Sequence, residues 1–165
     1  MAEKIFQSSF GAQLDLNEVI GEIFNFIKIA PNRQYKVVIG TDSLNGPKTA
    51  NFVTAVIVLR IGNGGRYFWN EATEKTFKTL RDRIYKEMYL SLETAQNLLE
   101  LLEKKKLPQF DLEIHVDVGQ NGDTKTLINE VVGVIRGSGF VVKTKPESFG
   151  ASSVADHRLW ILKHA

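Results

Sequence analysis

The sequence predicts an α/β fold with a mixed five-stranded sheet, helices on its faces and one extra helix at the amino end. Three strand-like segments follow one another through short turns, which predicts an antiparallel meander. Two later strands alternate with helices, and such crossovers require parallel neighbours. With 43% apolar and 24% charged residues, the 165-residue chain has the composition of one globular domain. We expect a single domain, with residues 1–34 as a helical extension and residues 35–165 as its core.

The amino-terminal half contains one predicted helix and the three strands of the meander. Apolar residues recur at helical spacing over 16–27, and Asp15 is placed to cap that helix. The segments 35–42, 51–61 and 66–75 are rich in β-branched and aromatic residues, and a glycine-rich turn separates the last two. These features predict an extra helix followed by three antiparallel strands.

The carboxyl-terminal half alternates helices with strands. No Gly or Pro interrupts residues 79–105, where apolar residues recur at helical spacing, so this is the predicted long helix. The segment 111–119 reads as a fourth strand, followed by a helix that begins at 123 or 124 and ends at Gly137. A fifth strand over 140–145 and a last helix from 152 or 153 to 163 complete the predicted order.

Composition narrows the possible functions. No apolar run is long enough to span a membrane and the amino end lacks a secretory signal, so we expect a soluble, cytoplasmic protein with no membrane partner. The absence of cysteine leaves carboxylates and three histidines as metal ligands, which favours hard cations. A net charge of +2 is too small to indicate a polyanionic partner by itself.

Two aspartates are expected at the carboxyl ends of strands, where sites gather in sheets of this kind. Asp42 follows an apolar strand, although Asp before Ser, Asn and Gly is also ordinary turn chemistry. Alternation places Glu113, His115 and Asp117 on one face of the fourth strand, which alone is typical of a solvated face. We expect His115 to make a structural hydrogen bond rather than to bind metal.

Further carboxylates lie on the helices. Glu87 borders the apolar stripe of the long helix, whereas Glu93 falls on its outer side, so Glu87 is the candidate; pairing with Arg83 is the alternative. Asp156 lies near the start of the last helix, where a carboxylate also stabilises the helix terminus. His157 points about 100° away from it and is a candidate for contact with a phosphate or leaving group rather than for the role of Asp156.

Four motifs in this order resemble the bacterial YkuK-type family, which is placed in the ribonuclease H-like superfamily. They are "IGTDS", "RDRIYKE", "HVDVGQNG" and "ASSVADHR", and they span residues 39 to 158. The resemblance implies a metal-dependent nuclease architecture, with Asp42, Glu87, Asp117 and Asp156 as the catalytic carboxylates. Such a cluster would repel itself without cations, and oxygen donors favour Mg²⁺ or Mn²⁺ in a two-metal mechanism.

The predicted partner is a nucleic acid, and the sequence leaves open whether it is DNA, RNA, a hybrid or a junction. The candidate substrate-binding residues are Ser43, Lys75, Lys78, Arg81, Lys143, Lys145 and His157. One alternative is a catalytically inactive nucleic-acid-binding or protein-interaction module on the same fold. A phosphotransferase is disfavoured, because neither "GTDS" nor "GQNGDTK" matches a phosphate-binding loop.

Overall fold

The computed structural model describes residues 3–108, 111–120, 122 and 125–148, and within them it has the predicted α/β architecture. The strands are β1 (Phe6–Ser8), β2 (Gln13–Leu14), β3 (Tyr35–Asn45), β4 (Thr49–Arg60), β5 (Gly65–Lys75), β6 (Leu112–His115) and β7 (Val141–Lys143). The helices are α1 (Leu16–Ile29), α2 (Leu80–Lys104) and α3 (Ile128–Gly137).

The strands form one mixed sheet in the order β2-β1-β5-β4-β3-β6-β7. The meander β3-β4-β5 is antiparallel, and β6 and β7 continue the sheet in parallel beside β3, as predicted. The two additional strands lie in the amino-terminal extension, where β1 pairs with β5 through Gln7 and Trp69. Strands of three and two residues are too short to produce an alternation, and the sequence therefore predicted five strands.

The amino-terminal helix begins where the sequence predicts. Asp15 accepts a hydrogen bond from the Glu18 backbone, and the Glu18 side chain accepts one from the Asp15 backbone, both at 2.8 Å. This reciprocal capping satisfies two backbone donors at the helix start. The buried face of α1, which includes Val19 and Ile23, packs into the main core together with Phe6 of β1. The extension is thus packed against the sheet.

The two faces of the sheet differ in what they bury. Val37 and Ile39 of β3 belong to the main core with Met88 of α2. Val38 lies in a separate buried cluster with Ala55, as expected for successive residues on opposite faces of a strand. Odd-numbered residues of β3 therefore face α2, and even-numbered residues face the other side.

The boundaries after α2 differ from the prediction. β6 covers Leu112–His115 rather than 111–119, because its pairing with β3 ends at His115. Beyond it, Val116 still donates its N–H to the Lys143 carbonyl of β7 at 2.9 Å. β7 is likewise shorter than 140–145. A 3₁₀ turn at Lys125–Leu127 precedes α3, so that helix begins later than 123 or 124. The helix predicted from 152 or 153 to 163 lies outside the described residues.

Candidate functional site

Asp42 and Asp117 lie on the same side of neighbouring parallel strands. β3 and β6 pair from Val37 with Leu112 to Gly40 with His115, and the same offset continued for two residues aligns Asp42 with Asp117. Ile114, Val116 and Val118 all enter the main core, so the alternation continues past the end of β6 and turns Asp117 to the other face. Even-numbered Asp42 shares that face.

The Asp42 carboxylate is held at the point where the two strands separate. Val37 donates its N–H to the Asp111 carbonyl beside it at 2.8 Å, so the odd-numbered N–H groups of β3 point towards β6. Ser43 lies beyond the last ladder pair, and its N–H is instead donated to Asp42 Oδ1 at 2.8 Å. Half-buried Asp42 therefore caps a backbone donor at the opening between the strands.

Glu87 faces the end of β3, whereas Glu93 points elsewhere. Glu87 is only 3% exposed, and its Oε1 accepts a hydrogen bond from the Ser43 hydroxyl at 2.5 Å. Glu93 pairs with Lys4 of the amino-terminal extension, Nζ to Oε2 at 2.5 Å. The helical phase correctly selected Glu87 rather than Glu93 as the glutamate that faces the sheet. However, Glu87 meets odd-numbered Ser43 on the α2 side of β3, whereas Asp42 and Asp117 belong to the opposite face, so the three predicted ligands do not share one face.

The Asp117 carboxylate forms an ion pair with a lysine. Lys145 Nζ lies 2.8 Å from Asp117 Oδ1, although 58% of the lysine side chain is exposed. The Lys145 backbone N–H is donated to the Val118 carbonyl at 2.9 Å. A β-carbon added at Gly119 would lie 3.1 Å from the Cβ of Lys145. Because Gly119 has no side chain, the aliphatic part of Lys145 can pass close to its backbone. Lys145, a predicted substrate-binding residue, is thus paired with Asp117, a predicted metal ligand.

Comparison with known proteins assigns the family. The model of the family described as ribonuclease H-like matches residues 18–158. The chain belongs to the ribonuclease H-like family. "Uncharacterized protein YkuK" of Bacillus subtilis (strain 168) is 31% identical over 166 residues, covering 92% of this chain and 95% of that protein. The predicted resemblance to the YkuK-type family is confirmed, and no solved structure matches the chain.

Membership of the ribonuclease H-like family supports a nuclease-like or nucleic-acid-related function, and domains of this family generally use divalent metals. Within residues 3–108, 111–120, 122 and 125–148, however, no three His, Asp or Glu side chains are grouped to hold a metal ion. Asp42, Glu87 and Asp117 do not form such a group. The predicted fourth carboxylate, Asp156, and its neighbour His157 lie outside the described residues.

The ribonuclease H-like sheet also carries a buried charged cluster that the sequence did not reveal. Glu113 and His115 are 7% and 6% exposed, so the alternative of a solvated face does not apply to either of them. Glu113 lies 3.0 Å from Lys36 Nζ and 3.0 Å from His115 Nε2, the structural hydrogen bond expected of His115. The cluster depends on the register between β3 and β6, which no local pattern predicts.

Burial affects the pKa values of Glu113 and His115 in this cluster. It lowers the pKa of His115 against the opposing effect of Glu113, which favours the neutral imidazole. Burial alone would raise the pKa of Glu113, but hydrogen bonds with His115 and Lys36 outweigh it and hold that pKa below its ordinary value. The face of β6 that carries Glu113 and His115 therefore combines an ionised glutamate with a neutral histidine, and His115 lies two residues before Asp117.

The other predicted basic residues lie around this end of the sheet. Asn45, at the end of β3, bonds the Phe77 backbone through both its amide nitrogen and oxygen at 3.0 Å, which brings exposed Lys75 and Lys78 near that end. Lys143 of β7 is half-buried opposite His115.

Arg81 is engaged elsewhere. It pairs with Glu130 of α3 at 2.7 Å, and Tyr85 also donates to that carboxylate. The hydrogen bond to Glu130 raises the pKa of Arg81. This arginine therefore joins α2 to α3.

No helix within the described part of the chain is long and apolar enough to cross a membrane.

Proposed function

We propose that this protein hydrolyses phosphodiester bonds of nucleic acids with the help of Mg²⁺ or Mn²⁺. The observation that carries the proposal is the placement of Asp42 and Asp117 on the same side of adjacent parallel strands, just beyond the last residues through which those strands pair. Family membership supports it, since a ribonuclease H-like domain is a nuclease-like or nucleic-acid-related module. A carboxylate pair at such a position is rigidly held and yet reachable.

The donor set fits a hard divalent ion. Mg²⁺ is commonly bound through one or two carboxylates, completed by water and substrate phosphate. Asp42 is oriented by the Ser43 N–H, and the Asp117 carboxylate already pairs with the positively charged Lys145 ammonium. Asp42 and Asp117 would hold the ion, with Asp156 as a predicted further ligand outside the described residues. Such an ion would lower the pKa of a water and neutralise charge on the scissile phosphate.

The basic side chains around the pair give the nucleic-acid backbone its binding energy. Lys75 and Lys78 are exposed near the end of β3, and Lys145 reaches solvent beside Asp117. Lysine contacts to phosphates release counterions, so binding should weaken as salt rises and should depend little on base sequence. A substrate phosphate would compete with Asp117 for the Lys145 ammonium.

One observation favours a second candidate, a nucleic-acid-binding module without catalysis. Asp117 is paired with Lys145, and the Oε1 of Glu87 is bonded to Ser43. Two of the predicted ligands thus have protein partners in place of a metal. Such a module would keep the salt-dependent binding described above and would lack cleavage.

A cleavage assay distinguishes the two candidates. Wild type, Asp42→Asn and Asp117→Asn are incubated with single-stranded, duplex, hybrid and four-way-junction substrates in Mg²⁺, Mn²⁺ or EDTA. Each substitution removes an anionic ligand with almost no change in volume, so we expect cleavage by wild type alone and only with metal. Asp111→Asn is the matched control, because this exposed aspartate lies just before β6 and away from the site.

The two candidate functions predict different outcomes in this assay. A wild type that binds these substrates but cuts none of them in any metal would support the binding module. Cleavage that persists equally in both variants and in EDTA would contradict the metal-dependent nuclease, whatever substrate is cut.

A further inference from the structure

Ser43 links a buried glutamate to the aspartate of the candidate site. We propose that Glu87 is a positioning residue that orients Asp42 through Ser43, rather than a metal ligand. This inference rests on the proposed function, because it assigns Glu87 a role in the same site. Two hydrogen bonds of Ser43 support it: the hydroxyl donates to Glu87 and the backbone N–H donates to Asp42.

The first bond fixes the Ser43 side chain. Its Oγ donates to Glu87 Oε1 at 2.5 Å, and Glu87 is 3% exposed on the face of α2 that packs against the sheet. A buried carboxylate is costly unless its oxygens are hydrogen-bonded, and bonds to charged acceptors are stronger than neutral ones. Ser43 is therefore held against α2 in one orientation.

The second bond transmits that orientation to Asp42. The Ser43 N–H is donated to Asp42 Oδ1 at 2.8 Å, at a point where β6 no longer supports β3. The pairing of β6 with β3 ends at Gly40, so β6 does not support the backbone at Ser43. That backbone is held by its pairing with Phe52 of β4 and by the hydrogen bond between the Ser43 side chain and Glu87. Releasing Ser43 from Glu87 would loosen the donor that orients the Asp42 carboxylate.

The chain supplies a matched control one helical turn along α2. Ser91 Oγ lies 2.8 Å from Thr41 Oγ1, which in turn lies 2.9 Å from Thr54 Oγ1. This hydroxyl chain also joins α2 to the sheet in a fully buried position, yet Thr41 is not the residue whose N–H meets Asp42. A general loosening of the α2–β3 contact would affect both pairs, whereas positioning of Asp42 affects only the Glu87–Ser43 pair.

The test compares kcat, KM and Mn²⁺ affinity across variants. Glu87→Gln keeps an oxygen acceptor for Ser43, so its kcat should stay near wild type. Ser43→Ala and Glu87→Met should each lower kcat about 10- to 100-fold, as loss of a residue that orients a ligand does. The double variant should be no worse than either single variant, because both remove one interaction. Ser91→Ala should retain wild-type kcat, and KM should change in none of them.

Three results would overturn the proposal. Glu87→Gln as inactive as Asp42→Asn would make Glu87 a ligand, since a neutral amide binds a hard cation poorly. A loss in Ser91→Ala equal to that in Ser43→Ala would indicate general packing. Multiplicative losses in the double variant would mean that the two residues act independently.

Mn²⁺ binding, measured by electron paramagnetic resonance, keeps the two proposals distinguishable. If wild type cuts nothing but binds Mn²⁺, the nuclease proposal fails while the positioning proposal still requires wild-type affinity in Glu87→Gln and weaker affinity in Ser43→Ala. A wild type that neither cuts nor binds Mn²⁺ overturns both.

Discussion

Replacing Lys145 by methionine should tighten the binding of divalent metal. The lysine ammonium lies 2.8 Å from Asp117 Oδ1 and must leave before an ion can use that oxygen. Methionine removes the charge and keeps an apolar stem of similar length for the packing against Gly119. We therefore expect Lys145→Met to bind Mn²⁺ more tightly than wild type does.

The structure sets the size of this effect. The two side chains are 58% and 31% exposed, so the pair is a solvent-screened one. Exposed pairs contribute about 0.2–1 kcal/mol. Because about 1.4 kcal/mol corresponds to a tenfold change in an equilibrium constant, the Mn²⁺ dissociation constant should fall by up to about fivefold.

Titration calorimetry with MnCl₂ at low and at high KCl measures the change. The difference between wild type and variant should shrink at high salt, where exposed charges are screened. Lys28→Met, an exposed lysine in the last turn of α1, is the control for a general loss of positive charge. An unchanged or weaker affinity in Lys145→Met, or an equal gain in Lys28→Met, would refute the reasoning.

Two further predictions concern stability. The folded-state pKa of Glu113 lies below its ordinary value of 4.5. The contribution of Glu113 to stability is therefore present above pH 4.5 and lost as pH falls through the folded-state pKa. Urea unfolding between pH 3 and 6 should show this loss, and the pH dependence of stability should be weaker in Glu113→Gln. A β-carbon at Gly65 would lie 2.6 Å from the Val58 carbonyl oxygen, so Gly65→Ala should lower the free energy of unfolding by about 1–3 kcal/mol. Gly133→Ala in α3 meets nothing within 4 Å and should raise that free energy by about 0.5–1 kcal/mol; equal effects in the two glycine variants would contradict the packing argument.

Local patterns predicted the elements that have long periodic segments. The α2 helix runs from Leu80 to Lys104 against a predicted 79–105, and the meander strands lie within three residues of their predicted ends. Each of these segments repeats its apolar spacing over enough residues to be recognised. The same phase argument predicted that Glu87, and not Glu93, faces the sheet.

Contacts that depend on register or on distant chain segments were not predictable in this way. The pairing of β1 with β5 joins residues about 60 positions apart, and β1 has three residues. Lys36, Glu113 and His115 meet because β3 and β6 pair with one particular offset, which no single segment encodes. Likewise, the long helix predicted an inward-facing Glu87, but its partner Ser43 follows only from how α2 lies across β3.

The most direct test of the central claim is a crystal of the protein soaked in Mn²⁺ and measured for anomalous scattering. We expect an anomalous peak within about 2.0–2.6 Å of oxygens from both Asp42 and Asp117, with Lys145 Nζ displaced from its 2.8 Å contact. Asp42→Asn crystals soaked in the same way should lose the peak. An Mn²⁺ peak that lies elsewhere in the protein, or a Lys145–Asp117 pair that stays intact at saturating Mn²⁺, would contradict the proposed metal site.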